Sequence, residues 1–448
     1  MAFLCEQCGH RSVKWLGRCP GCGGWNTLEE IPANREDVTV DTTWLGEELR
    51  SISKIDLDTV HRLPSGLTEV DRLLGGGLVP SGVVLFGGEP GVGKSTLLLQ
   101  MAESMARGAG KILYVSGEES EGQVKLRADR IGANSERLFV LSEQSLHRIV
   151  AAVEKIDPLV LIVDSIQTTA DERVAGEAGS VKQLREVCSA LIQLTKSKKM
   201  TTFLVGHITK EGSFAGPKTV EHLVDVAIYL EGSRTEDVRM LRSVKNRFGA
   251  TNEVAVFQMT GRGLVEIEDP SRFFLGDGER VTQAGSVYVP VLEGTRPILI
   301  ELQALVSPTG GYGVPQRRCT GLDVNRVLLM LAVMEKHLDV HIGGADVYMN
   351  LAGGLDVRER GTDLGVITAV LSSLRNRALS GRTAVVGEVG LSGEIRPVRK
   401  LKERMGEAGK LGIQRMVVPK SSRITKPKGL DVVEVEHVSE AIEALSFE

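Results

Sequence analysis

One eight-residue string constrains this chain more than any other. Gly88-Glu89-Pro90-Gly91-Val92-Gly93-Lys94-Ser95 fits GxxxxGK[ST] without deviation. An apolar run, Val83-Val84-Leu85-Phe86, precedes it, and Thr96-Leu97-Leu98-Leu99-Gln100-Met101-Ala102 continues from it as a helix. Strand, glycine-rich turn and helix in that order wrap backbone N–H groups around an anion and set the positive end of a helix behind them. The pattern predicts that Gly88, Glu89, Pro90, Gly91, Val92, Gly93, Lys94, Ser95 and Thr96 hold ATP. Lys94 is expected to reach the β- and γ-phosphates and the Ser95 hydroxyl to bind Mg2+.

Short β-branched runs alternate with helical patterns from His61 to about Pro270: Val83–Phe86, Lys111–Val115, Leu159–Val163 and Thr202–Val205. Such alternation predicts a mostly parallel sheet covered by helices. Asp164 ends the third run, where a carboxylate suits the Mg2+ shell; a helix N-cap is the plainer alternative. Glu118 and Glu119 follow the second run through Ser116-Gly117. One of them is expected to polarise the attacking water, Glu118 first and Glu119 in reserve. His207 follows the fourth run and could sense the γ-phosphate, although a lone histidine is more often structural. Lys245-Asn246-Arg247-Phe248-Gly249 sets two cations one residue apart. They could reach into a neighbouring subunit's nucleotide or be solvated charges on a hairpin turn, and the pattern alone leaves both open.

Four of the six cysteines form two CxxC units ten residues apart, Cys5-Glu6-Gln7-Cys8 and Cys19-Pro20-Gly21-Cys22. Each short loop turns two thiolates toward one point, and four thiolates make a closed tetrahedral Zn2+ site with no open position for chemistry. Four redox thiols are the other reading. The chain's 54 basic and 58 acidic residues leave a net charge of −4, so any nucleic-acid site has to be a local basic patch. At 42% hydrophobic residues over 448, disordered and collagen-like classes are excluded, and two or three domains are expected. No apolar run approaches the ~18 residues of a membrane span, and the first residues lack a secretory pattern. A soluble, cytoplasmic protein without membrane contact is expected. The organisation read from the chain is a zinc knuckle at 1–27, a polar linker at 28–60, the α/β region at 61–270, and a second α/β region at 271–448. This last region contains a helical stretch Asn325–Lys336, a run Thr383–Gly387 and a basic helix around Lys400–Lys410.

Together these residues resemble the RadA (Sms) family of bacterial DNA repair proteins. The likeness is carried by the four-cysteine knuckle, the phosphate loop, Tyr114-Val115-Ser116-Gly117-Glu118-Glu119-Ser120, Asp164-Ser165-Ile166-Gln167-Thr168, and the family's signature Lys245-Asn246-Arg247-Phe248-Gly249. The resemblance implies a RecA-like ATPase core working as a hexameric ring related to replicative helicases. It implies action on single-stranded DNA and branched recombination intermediates, in partnership with the RecA recombinase, promoting strand exchange and branch migration. By the same likeness Glu118 matches the catalytic glutamate and His207 the sensor position. Lys245 and Arg247 match the paired trans-acting cations, and Thr209 to Lys218, with Lys210 and Lys218, matches the DNA-contacting loop.

The C-terminal region resembles the proteolytic domain of Lon proteases through Val386-Gly387-Glu388-Val389-Gly390-Leu391-Ser392-Gly393-Glu394-Ile395-Arg396-Pro397-Val398 and its continuation to Lys420. Lys402 matches the lysine of Lon's Ser-Lys dyad, and the serine's place falls at Asp363. A lysine can activate only a nucleophile that exists. Asp363 beside Lys402 is expected to be an ion pair, and Ser372 and Ser373 are too far along to substitute. The resemblance therefore implies a protease fold without peptidase activity. Arg396, Arg399, Lys400, Lys402, Arg404 and Lys410 could contact DNA phosphates, a solvated helix face being as simple a reading. Arg358-Glu359-Arg360-Gly361 departs from the proline-containing pattern usual in the family. The competing functions are an ATP-dependent Lon-type peptidase and a zinc adaptor switched by nucleotide.

Overall fold

The computed structural model describes residues 2–7, 10–31, 61–108, 110–207, 219–232, 237–275, 283–309, 314–352, 355–421 and 425–447. The chain divides into two compact units, Met1–Thr59 and Val60–Glu448.

In the first unit, β1 (Ala2–Cys5), β2 (Arg11–Ser12) and β3 (Leu28–Ile31) form an antiparallel sheet with β1 in the middle. The first four residues of the expected linker are thus strand, and residues 32–60 lie outside the described residues. Among the described residues the core here is Cys5, Cys19 and Leu28, with Phe3 against it. An apolar core this small is typical of folds that a structural metal holds together.

The second unit opens with α1 (Thr68–Leu74), β4 (Val83–Gly88), α2 (Lys94–Gly108), β5 (Ile112–Ser116), α3 (Glu121–Ile131), β6 (Leu138–Ser142) and α4 (Leu146–Ile156). It continues through β7 (Val160–Asp164), α5 (Val181–Lys198), β8 (Thr201–His207), α6 (Thr219–Leu223), β9 (Val226–Glu231), β10 (Val238–Asn246), β11 (Val254–Thr260) and β12 (Gly263–Glu266). These strands make one sheet in the order β12-β11-β10-β9-β4-β8-β7-β5-β6. From β9 to β6 it is parallel, and β10, β11 and β12 extend it antiparallel. The parallel strands read as unbroken apolar runs because helices cover both faces. Val84 and Phe86 pack with α1 and α2, while Val83 and Leu85 pack with α4 and α5. The carboxyl ends of β4, β5, β7 and β8 therefore open side by side, the place where such sheets bind ligands.

The rest of the chain contributes α7 (Pro270–Leu275), β13 (Ser286–Glu293), β14 (Arg296–Pro308), β15 (Arg317–Thr320), α8 (Val324–His337), β16 (Ala345–Leu351) and α9 (Asp363–Arg375). Beyond these come β17 (Thr383–Val385), β18 (Glu388–Val389), β19 (Ile395–Arg396), α10 (Leu401–Lys410), β20 (Arg415–Pro419), β21 (Asp431–Val435) and α11 (Val438–Ala444). Seven of the strands form a mixed sheet, β15-β16-β14-β13-β17-β20-β21. Helices α8, α9 and α11 cover one face and α10 the other. Val254 and Val256 of β11 share a core with Val287 and Val289 of β13, so the two sheets are packed through apolar contact. Among the described residues no helix is long and apolar enough to cross a membrane.

Candidate nucleotide site

The phosphate loop leaves β4 at Gly88, where a Cβ would lie 2.6 Å from the Leu230 carbonyl oxygen. Only glycine fits so close to neighbouring backbone. Gly93, at φ +115°, turns the chain into α2, and the Met259 and Leu264 side chains fill the space a Cβ would take. Buried Arg239 of β10 donates from Nε to the Val92 carbonyl at 3.0 Å and ties down the loop's crest. Pattern reading missed it, because β10 lies far along the chain and arginine in a strand carries no signal of its target.

Lys94 is buried, and its ammonium donates to the Gly88 carbonyl at 2.8 Å and the Glu89 carbonyl at 3.0 Å. His207 Nδ1 stands 3.1 Å from the same Nζ. Burial lowers the Lys94 pKa below its ordinary value, with Asp164 and Glu118 opposing. An ammonium can only donate, so His207 Nδ1 accepts and the ring proton falls on Nε2. That nitrogen lies 3.5 Å from Glu118 Oε1. Glu118 is half exposed and also accepts a 2.8 Å hydrogen bond from the fully buried Ser165 hydroxyl. Lys94, His207, Glu118 and Ser165 thus form one connected row across the ends of β4, β8, β5 and β7. Glu119 is elsewhere engaged: Arg127 of α3 holds its Oε1 at 2.5 Å. Helix α3 starts immediately after, fixed by a capping box between Ser120 and Gln123.

Asp164 ends β7, and its Oδ2 accepts from the Tyr114 hydroxyl at 2.5 Å. The Tyr114 ring is buried in the core that β5 shares with α2. Burial pushes its phenol well above the ordinary pKa, as does the Asp164 charge, while the Arg127 charge works the opposite way. The Asp164 charge also acts on Lys94, so its carboxylate faces the turn of α2 that carries Ser95. Two hard oxygen donors beside the phosphate loop fit Mg2+. Thr96 is buried within α2.

Lys245 and Arg247 lie at the other end of the sheet. Asn246 pairs with Val226 of β9, level with Val84 of β4, four residues before Gly88. At ~3.3 Å per residue this is on the order of 13 Å from the loop. Lys245 donates to the carbonyls of Glu221 (2.8 Å), His222 (3.1 Å) and Val224 (2.7 Å). Exposed Arg247 pairs with Asp225 at 3.1 Å. Residues 209–218, where the DNA-contacting loop is expected, lie outside the described residues.

In the small unit, the Sγ atoms of Cys5, Cys19 and Cys22 all lie within 4.8 Å of one another, with 3.6 Å between Cys5 and Cys22. A tetrahedron with Zn–S of about 2.3 Å has edges of about 3.8 Å, so this thiol cluster fits a zinc ion. The Gly21 N–H donates to Cys19 Sγ at 3.4 Å, as a thiolate needs. Cys8 lies outside the described residues.

The C-terminal fold corrects two expectations. Asp363 is fully buried, but its partner is Arg326 of α8, with Nε 2.9 Å from Oδ1 and Nη2 2.5 Å from Oδ2. The Val389 N–H also donates to Oδ2 at 3.0 Å. Burial raises the Asp363 pKa, with Arg326 pulling it back. Lys402 is exposed on α10 and forms no such pair. The second correction is Arg404, which is entirely buried and cannot touch DNA. It pairs with Glu359 and donates to the Pro290 carbonyl at 2.5 Å and the Arg399 carbonyl at 2.8 Å. The apolar stripe Met405 and Ala408 around it points inward, a signal already present at helical spacing. Arg396, Arg399, Lys400, Lys402 and Lys410 are exposed.

The AAA domain family matches residues 50–213, the rubredoxin metal binding domain residues 3–30, and subunit ChlI of Mg-chelatase residues 330–422. The DNA repair protein RadA of Bacillus subtilis (strain 168) is 44% identical over 447 residues, covering 98% of this chain and 97% of its own. The chain belongs to the RadA family of DNA repair proteins. RadA of Aquifex aeolicus (strain VF5) is 45% identical over 453 residues, covering 99% of this chain and 98% of its own. RadA of Streptococcus pyogenes serotype M1 is 44% identical over 448 residues, with the same coverage. The family expected from the knuckle, the phosphate loop and the Lys245–Gly249 signature is the family found. The expected fold class holds as well: a RecA-like α/β core, an N-terminal zinc ribbon and a Lon-like C-terminal α/β domain. A KaiC-like protein of Pyrococcus horikoshii OT3 aligns with 46% of this chain and 99% of its own at 21% identity and a TM-score of 0.40, too slight a likeness to argue from.

Proposed function

We propose that this chain is a DNA-dependent ATPase of homologous recombination and DNA repair. It works as a hexameric ring with the RecA recombinase, promoting strand exchange and branch migration on single-stranded and branched DNA. The observation that carries the reading is the row Lys94–His207–Glu118 at the mouth of the phosphate loop. It sets a phosphate-binding ammonium and a carboxylate base on the two nitrogens of one imidazole.

ATP is the substrate, and the loop from Gly88 to Ser95 binds its phosphates. Lys94 turns from the loop's own carbonyls toward the β- and γ-oxygens. Ser95 and Asp164 would hold Mg2+, which would supply charge neutralisation at the phosphates. Glu118, steadied by Ser165, takes the proton of the attacking water. His207 loses its Lys94 partner when the lysine engages phosphate, and it stands two residues before the segment that matches the DNA loop. Since Lys245 and Arg247 sit far from their own loop, they serve the nucleotide of the neighbouring subunit, neutralising charge in trans. Zinc closes the N-terminal ribbon structurally. We assign the ATPase domain to 61–270 and the Lon-like domain to 271–448, the latter without peptidase chemistry because Asp363 is locked by Arg326.

The test is ATP turnover by zinc-loaded protein with and without single-stranded DNA. Stimulation by DNA supports the reading. An unchanged or zero rate with DNA present would return the chain to a nucleotide-switched zinc adaptor.

A further inference from the structure

We propose that Tyr114 is a positioning residue for the Mg2+ site, an assignment that rests on the nucleotide reading above. Its hydroxyl lies 2.5 Å from Asp164 Oδ2. A phenol has one proton, and a carboxylate can only accept, so that proton goes to Asp164. The result is a directed bond from Tyr114 O–H to Asp164 Oδ2. One lone pair of that carboxylate is committed on the Tyr114 side, and its other oxygen is left for a cation.

The geometry gives Tyr114 a reason to be tyrosine. The rest of its strand is aliphatic apart from the last residue, and Ile112, Leu113 and Val115 are buried beside it. A phenylalanine would fill the same core space between β5 and α2. The hydroxyl adds a buried polar atom that burial alone disfavours, and it is aimed at the one carboxylate of β7. Without it, Asp164 Oδ2 loses its donor and the carboxylate can rotate. Residues that orient metal ligands in this way typically hold about 10–100-fold in metal affinity.

The experiment compares full-length wild type with Tyr114→Phe, each saturated with ATP. Mn2+ binding is read by electron paramagnetic resonance, and nucleotide binding is followed with a fluorescent ATP analogue in Mg2+ and in EDTA. The expected result is Mn2+ binding weakened about tenfold or more, with EDTA-state nucleotide affinity unchanged. In an Asp164→Asn background, Tyr114→Phe should have no further effect on metal binding, because it acts through that carboxylate. Metal affinity within twofold of wild type would overturn the proposal. So would equal loss of nucleotide binding with and without metal, or an undiminished effect in the Asp164→Asn background. Wild type that binds no nucleotide under either condition would instead sink the phosphate-loop reading itself.

Discussion

The Lys94 ammonium and His207 Nδ1 are 3.1 Å apart, and the other nitrogen of that ring faces Glu118 at 3.5 Å. The phosphate loop, the strand that ends at His207 and the Glu118 carboxylate are therefore mechanically one group. Whatever displaces Lys94 from the ring changes how His207 holds Glu118.

Glu118→Gln keeps the shape of the site and removes the proposed base. ATP turnover should fall at least about a hundredfold while nucleotide binding stays within a fewfold of wild type. Ser165→Ala removes only the donor that steadies Glu118, so turnover should fall less than in Glu118→Gln, again with binding intact. Steady-state kinetics with parallel nucleotide titrations separates the two effects. Ser165→Ala with unchanged turnover would remove Ser165 from the site.

Glu118 and Glu119 also mark the limit of what the sequence reveals about this site. The phosphate loop was legible because strand, turn and helix are contiguous, so local spacing determines local geometry. Which glutamate is available depends on Arg127, one helix later, which pairs with Glu119. Asp363 is a sharper case. Its partner comes from α8, through packing of helices that spacing does not encode, so the likeness to Lon's dyad pointed to Lys402, the wrong cation. The antiparallel β10–β12 extension and Arg239 escaped for the same reason.

Asp363→Ser should not create a peptidase. Lys402 is exposed rather than beside the position, and Arg326 would be left without its carboxylate. No casein degradation is expected with ATP present, together with a lower melting temperature. ATP-dependent cleavage by this variant would show that a working dyad can form.

Arg404 and its exposed neighbours separate a structural arginine from surface charge. Arg404→Ala leaves Glu359 without its buried partner and should cost about 3–5 kcal/mol in chemical denaturation. Arg399→Ala and Lys402→Ala should stay within about 0.5 kcal/mol of wild type. Equal, small effects at all three sites would contradict the burial of Arg404.

Thiol titration should proceed in stages. Burial pushes the Cys188 thiol up to about 12, so its reactive thiolate is absent at pH 8 and accumulates only as pH rises toward that value. In native zinc-loaded protein, half-buried Cys319 should react slowly. Chelation should release the thiols of the ribbon, and Cys188 should react only after denaturation. Rapid native labelling of Cys188, or ribbon thiols that react before chelation, would contradict the core and the zinc site respectively.

The central claim is a seam: one chain's phosphate loop served by the next chain's cations. Lys94→Ala and Arg247→Ala damage opposite sides of that seam, and mixing the two purified variants tests it most directly. Each alone should hydrolyse ATP at a small fraction of the wild-type rate with single-stranded DNA present. The mixture should regain turnover, because Lys94→Ala chains supply Arg247 to the intact loops of Arg247→Ala chains. Full activity of Arg247→Ala by itself, or a mixture that stays silent, would contradict it.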